Sequence, residues 1–328
     1  MLKVSQKLQD FFDTPIPHEL WHYTTVDALN GIVSSGKVWE TEARFTSDPT
    51  EYIFLRNVVN EFLNTQKKRL DSVGLDASAV MELMDIHYGK GILSPHFADV
   101  FIASFSAAED LKSQWLDYGM AYMGVSIAFD LRHARPPADA DSSITLAPCV
   151  YEKHKQEELI REPLNRFLEP FDVLQELNNQ NYAIAKVWPL VRNIWLDAGE
   201  PPFKPVPSSS QIRELLLQAS KDMSRDLFVL ASHLKNPGFK EEHEWRLVLP
   251  RSRTNNNAEA PIKYREDYWK GEQVKKPFIE FDLQMANANR LPITRVMTGP
   301  RCDASAVKAI LESHGYQIPI CPSRVPVR

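Results

Sequence analysis

His22 and Tyr23 stand side by side in Leu20-Trp21-His22-Tyr23-Thr24, just before a helix start. An imidazole and a phenol at a strand end beside a helix N-terminus suit a phosphate or a ribose hydroxyl. They equally suit a half-buried pair that packs the first strand. The same stretch spells His18-Glu19-Leu20-Trp21-His22, an HExxH. On a helix this spacing would put two imidazoles on one face for zinc, with Glu19 as general base. Pro15 and Pro17 lie just upstream, Thr24 or Thr25 reads as the cap of a new helix, and no third ligand follows, so the flanks argue against that helix. Ser104-Phe105-Ser106 places two hydroxyls on one face of a strand. Trp115 and Tyr118, three apart, share a helical face and could stack on a planar ring or fill core. A strand beginning at Glu242 would project Glu242, Glu244 and Arg246 to one side, and His243, Trp245 and Leu247 to the other. Two carboxylates on one face suit general-base or cation-stabilising work, and an edge strand paired through Lys240 and Arg246 is the plainer outcome. There is no GxxxxGK[ST], GxGxxG or GxSxG, and Cys149 and Cys302 have no local nucleophile signature.

Elements must position these groups, and the apolar periodicity predicts them. Val26, Leu29, Ile32 and Val33 follow helical spacing after Thr24 or Thr25, with Gly36 as C-terminal cap and a strand over Lys37–Phe45. Asp48-Pro49-Thr50-Glu51 starts a helix that carries Phe54, Leu55, Val58, Val59 and Phe62 inward. Strands are expected at Asp99–Ser106, Met123–Asp130 and Ile144–Tyr151. From Glu152 to about Asn179 the steps of three and four predict helix with proline interruptions. A proline-rich loop from about Gly199 to Ser210 precedes a second helical stripe from Ile212 to Leu234. After Asn236-Pro237-Gly238 the period returns to two, giving strands at His243–Leu249, Pro277–Asp282 and Ile293–Thr298 and a closing helix from Ser305 to about His314. Arg251–Ala260 reads as an exposed loop. Residues 1–151 and 237–328 then form two parts of one α+β domain, and residues 152–236 a helical insertion between them.

Composition bounds the partners. Lys plus Arg is 38 against 43 Asp plus Glu, a formal charge of −5, which excludes a global basic field for wrapping duplex nucleic acid. The longest apolar runs, such as Val100–Ala103, fall far short of the roughly 18 residues of a membrane span. The N-terminal residues show a polar helical pattern with no apolar signal segment. Three widely spaced cysteines (Cys149, Cys302, Cys321) make a disulfide scaffold or a cysteine-rich zinc site a poor fit, so a cytoplasmic location without membrane association is expected.

Taken in order, the motifs resemble those of a widespread, mostly bacterial family known as a domain of unknown function. The matching residues are His22-Tyr23-Thr24, Ser47-Asp48-Pro49-Thr50-Glu51, Ser104-Phe105-Ser106, Trp115-Leu116-Asp117-Tyr118, Gly124-Val125-Ser126-Ile127-Ala128-Phe129-Asp130 and Glu242-His243-Glu244-Trp245-Arg246-Leu247. The series His, Ser-x-Ser, Glu-x-Glu is in turn similar to the three-part signature of ADP-ribosyltransferases. That resemblance implies a split β-sandwich around an NAD groove, here with a helical insertion, and NAD as substrate with no metal. It implies that His22 binds ribose, Ser104 and Ser106 shape the nicotinamide pocket, and Tyr23 or Tyr118 stacks on nicotinamide, with Thr24 and Trp115 close by. Glu244 would be catalytic and Glu242 would position the acceptor nucleophile; which of Glu241, Glu242 and Glu244 is catalytic stays open. His22 stands where Arg-first transferases carry Arg, and Ser104 where His-first relatives usually carry Tyr.

The expected function is therefore an NAD-dependent ADP-ribosyltransferase or NAD glycohydrolase, a glycosyl-transferring toxin or defence effector, with protein, nucleic acid or water as acceptor. Two alternatives stand beside it. In a ligand- or nucleic-acid-binding module, Trp115 and Tyr118 would stack bases while Lys67, Lys68, Arg69, Lys275 and Lys276 contact phosphates. In a purely structural protein the same motif residues would only fix the fold.

Overall fold

A computed structural model describes residues 6–45, 50–71, 98–132, 144–178, 223, 226–227, 229–252, 261–269, 272–283 and 290–327. The proline-rich stretch near 199–210 and residues 212–222 of the second helical stripe lie outside them.

Helix α1 (Gln6–Phe12) precedes strand β1 (Leu20–Thr24) and helix α2 (Val26–Ser35). Thr25, not Thr24, caps α2: its hydroxyl accepts the Ala28 N–H at 3.1 Å. Gly36 closes the helix in the left-handed region, with φ 69°, where a side chain would be strained. Strand β2 (Val38–Glu42) is shorter than expected, because Ala43–Phe45 tightens into a 3₁₀ turn. Helices α3 (Thr50–Thr65) and α4 (Lys67–Asp71) follow, and α3 buries Leu55, Val58, Val59 and Phe62. Then come β3 (Ala98–Ser106), α5 (Lys112–Asp117), β4 (Val125–Phe129) and β5 (Thr145–Pro148). Helix α6 (Lys153–Asn178) runs through Pro163 and Pro170 without a break. An interior proline costs a helix roughly 3 kcal/mol. Leu159, Ile160, Leu164, Phe167 and Leu168 are all buried along one stripe, and at about 1.5–3 kcal/mol each their burial outweighs that cost. Strand β6 (Glu244–Ser252), β7 (Lys263–Trp269), β8 (Glu272–Phe281), β9 (Ile293–Thr298), α7 (Ala304–Ser313) and β10 (Ile320–Pro322) complete the described elements.

The architecture is mixed α+β with an open sheet, and strands from both halves of the sequence interleave in it. Strand β3 is its axis. One edge of β3 pairs with β6 over its whole length, from Ala98↔Ser252 to Ser106↔Glu244. The other edge is shared: β1 meets it only at Trp21↔Ser106, and β2 only at Thr41↔Ile102 and Glu42↔Phe101. Residues 103–105 therefore have no strand partner on that edge, and the sheet forks there. One branch continues β1-β4-β9-β10, the other β2-β8-β7. Alternation along β1 sends Leu20 into a core with Ile127, Phe129, Val296, the α2 face and Val307 and Leu311 of α7. Trp21 and Tyr23 point the other way, into a smaller cluster with Trp115, Ala128 and Met297.

Candidate functional site

The fork leaves the Ser104 carbonyl without a strand partner, and the His22 ring takes it, Nδ1 lying 3.0 Å from Ser104 O. A carbonyl only accepts, so Nδ1 carries the proton and donates. Burial holds the ring below its usual pKa and hence neutral, which leaves Nε2 as a bare acceptor. The ring rests against Phe105, centroids 5.8 Å apart. Tyr23 is more deeply held. Its hydroxyl donates to Ala108 O and accepts from Leu111 N, both at 3.0 Å, its ring meets Trp115 edge-on at 4.9 Å, and burial pushes the phenol pKa up.

The two serines of Ser104-Phe105-Ser106 have different surroundings. The Ser104 side chain is exposed at the fork. Ser106 is buried; its hydroxyl donates to Glu242 O at 2.7 Å and accepts from Ala108 N at 3.0 Å, which fastens the end of β3 to the Glu-x-Glu segment. Trp115 is fully buried, with Nε1 donating to Asp110 Oδ1 at 2.7 Å, whereas Tyr118 at the C-cap of α5 is 41% exposed. Thr24 is half-buried at the end of β1.

The carboxylates come from a kink. Pro237–Glu242 forms a 3₁₀ turn, His243 takes a left-handed φ of 45°, and Glu244 opens β6. That kink turns Glu242, Glu244 and Arg246 towards Lys235. The Lys235 ammonium donates to Oε2 of Glu242 and, at 2.5 Å, to Oε2 of Glu244. Arg246 donates through Nε to Glu244 Oε1 at 2.9 Å and through Nη1 to Ser232 O at 2.8 Å. The Cys149 thiol lies 3.5 Å from Glu244 Oε2, and the Tyr151 hydroxyl accepts the Glu244 N–H at 2.9 Å. Lys235, Glu242, Glu244 and Arg246 are each at most 6% exposed. Burial alone would raise the Glu244 carboxyl, but the Arg246 and Lys235 cations beside it hold its pKa at about 2. For Glu242 burial wins over Lys235, and its pKa lies above the usual carboxylate value. Behind the cluster, burial and the Arg246 charge keep His233 neutral, with a pKa of about 3.

A cavity of about 70 Å3 opens on these groups, lined by Trp21, His22, Tyr23, Ser104, Phe105, Gln114, Tyr118, Glu242 and Glu244. Six residues singled out in the sequence thus meet there: His22, Tyr23, Ser104, Tyr118, Glu242 and Glu244. Thr24, Ser106 and Trp115 are not in the lining; Ser106 and Trp115 act one layer behind it, through the contacts above. Gln114, next to Trp115, and Lys235, which lies in no motif, are the site residues the sequence reading missed. Ligand pockets usually run to roughly 300–1,000 Å3, so this cavity admits the tip of a ligand. A larger hollow of about 770 Å3, between α7 and β10, holds none of these residues.

The HExxH spacing does not sit on a helix. Its His22 is in β1, and Glu19 is held by Arg295 Nε at 3.0 and 3.1 Å and by Thr294 Oγ1 at 2.6 Å. Among the described residues, no group of three His, Cys, Asp or Glu side chains could hold a metal ion. Also among them, no helix is long and apolar enough to cross a membrane.

Chemically the lining is rich in acceptors. Both Glu244 oxygens are engaged by cations, but Glu242 keeps Oε1 outside its ion pair and His22 keeps Nε2. Such a pair suits a ligand that presents hydroxyl or N–H donors.

Residues 114–247 match the model of a family described as a protein of unknown function, DUF2971. The matched span includes Gln114, Tyr118, Glu242 and Glu244, and leaves His22, Tyr23 and Ser104 outside it. No curated protein and no solved structure matches the chain.

Proposed function

We propose that this chain is an NAD-using enzyme, an ADP-ribosyltransferase or NAD glycohydrolase of the toxin or defence type, built on a split β-sandwich with a helical insertion and working in the cytoplasm. The observation that carries this reading is the shared cavity: His22 from β1, Ser104 from β3 and the carboxylates around the start of β6 converge on it from sequence positions far apart. In the proposed complex the nicotinamide-ribose end enters the cavity. His22 Nε2 accepts from a ribose hydroxyl, and Tyr118 lies along the nicotinamide. The glycosidic bond breaks through an oxocarbenium-like state, and carboxylates fixed beside the ribose stabilise the developing positive charge. About 3–4 kcal/mol of such stabilisation corresponds to roughly two to three powers of ten in rate. Glu244 is held rigidly by Arg246 and Lys235, and Glu242 is the carboxylate with an oxygen left for an acceptor nucleophile, whether on protein, nucleic acid or water.

The test is nicotinamide release from NAD by the purified protein, read by mass spectrometry, beside Glu244→Gln and Glu242→Gln. Release by wild type that falls roughly 100–1,000-fold in Glu244→Gln, with the circular dichroism spectrum unchanged, is expected. A wild-type protein that neither releases nicotinamide nor gains melting temperature with NAD would sink the reading.

A further inference from the structure

Beneath the cavity the charges balance, two carboxylates (Glu242, Glu244) against two cations (Lys235, Arg246). The two cations are not equivalent. Arg246 is fixed by two bonds to Glu244 and one to a backbone carbonyl. The Lys235 side chain makes its polar contacts through its tip, and that tip bridges the two carboxylates that line the cavity. The backbone of Lys235 is pinned separately, its N–H to Val150 O at 3.1 Å and its carbonyl to Gln156 Nε2 at 2.8 Å, so the ammonium can swing while the chain stays still. In the seated position the ammonium already lies 5.2 Å from the centroid of the Phe239 ring, which is 41% exposed, so an aromatic face that can hold an ammonium adjoins the seat.

We propose that Lys235 is an autoinhibitory counterion: its ammonium occupies the seat between Glu242 and Glu244 that a cationic centre of the ligand takes over when the lysine withdraws towards Phe239. With the lysine seated the cavity floor carries no net charge, and a developing cation there meets carboxylates that are already neutralised. With the lysine withdrawn, one negative charge in a dry site becomes available, where it acts strongly. The inference deepens the reading above, because it concerns the same two carboxylates, and it assigns to this site a ligand with a cationic centre.

The experiment uses ethylammonium, a detached copy of the lysine tip. Melting temperatures of wild type, Lys235→Ala and Lys235→Gln are measured in ethylammonium chloride and in sodium chloride of equal concentration. The expected result is a rise of about 2–4 °C specific to ethylammonium in Lys235→Ala, at concentrations near ten times the dissociation constant. Wild type should show no such rise, and adding Glu242→Gln to Lys235→Ala should abolish it. Lys235→Gln keeps a hydrogen bond to the carboxylates and carries the test if the alanine variant does not fold; it should respond in the same sense. No ethylammonium-specific rise in the variant that folds, or an equal rise in wild type, would overturn the inference. Nicotinamide release is scored separately. An ammonium response without NAD turnover keeps the guarded cation seat and removes the NAD reading, and turnover without the response does the opposite.

Discussion

At the scale of single residues, Glu40 is a buried acid that no group among the described residues balances. It is fully buried, and both of its carboxyl oxygens are without a hydrogen-bond partner among the described residues. Strand β2 turns Val38, Glu40 and Glu42 inward and leaves Trp39 45% exposed, so its polar face is the buried one. Burial raises the Glu40 pKa well above the usual carboxylate value. A raised carboxyl means that the folded chain holds this proton more tightly than the unfolded chain. Its contribution is full below about 4.5, the ordinary carboxylate value, and is lost as pH rises towards the folded pKa. Glu244 has the opposite sign, since its stabilisation is present above about 4.5 and lost as pH falls towards about 2. Removing the unsatisfied acid with Glu40→Leu should therefore stabilise the protein by about 1–3 kcal/mol at pH 7.5 and by less at pH 4.5. Urea unfolding at both pH values checks this, and a gain that does not grow with pH would count against a buried, protonated Glu40.

At the scale of elements, the strand-to-helix junction that delivers His22 and Tyr23 rests on one cap. Thr25→Ala should cost about 1 kcal/mol through loss of the bond to Ala28, with a lower denaturant midpoint and an unchanged slope as the measurement. This junction was legible in the sequence because caps and apolar spacing are local. Glu242, Glu244 and Arg246 do lie together, with Glu242 in the 3₁₀ turn before β6 and not in the strand. What escaped the sequence was non-local. Lys235 sits before an Asn-Pro-Gly turn, and nothing in its neighbourhood signals that it reaches Glu242 and Glu244. Strand β7 was missed because Lys263–Trp269 is a charged edge strand, held by pairing with β8 and by Lys276 to Asp267 at 2.8 Å rather than by apolar alternation. Pro163 argued for a break in α6 that buried neighbours override. The turn after α5 is similar: Met120, Ala121 and Tyr122 all have positive φ, a strained run that local propensity disfavours. Backbone bonds hold it, Gly124 N to Gly119 O at 2.8 Å and Arg301 N to Tyr122 O at 3.0 Å.

At the scale of the whole molecule, the open sheet has one strand that everything else depends on. Hydrogen exchange should be slowest at the β3 and β6 amides, which share nine paired positions, and much faster along the outer edge of β7. Mass-spectrometric exchange of peptides from 98–106, 244–252 and 263–269 checks this order; equal protection of the three would mean that β3 is not the axis of stability. The joining of β3 to the β6 segment also spans a long stretch of sequence, Ser106 and Glu242 being 136 residues apart. At roughly 5–20 residues per second of synthesis, β3 waits on the order of 7–30 s after leaving the ribosome before its partner arrives. During that interval the edge of β3 that β6 will cover is bare, and an apolar strand with a bare edge is prone to mispairing and to capture by chaperones. The cavity cannot exist until β6 has docked, so a nascent or prematurely ended chain carries His22 and Ser104 but no site. Assembly order thereby sets the moment at which the site comes into being, which is only once the ribosome has translated past Arg246.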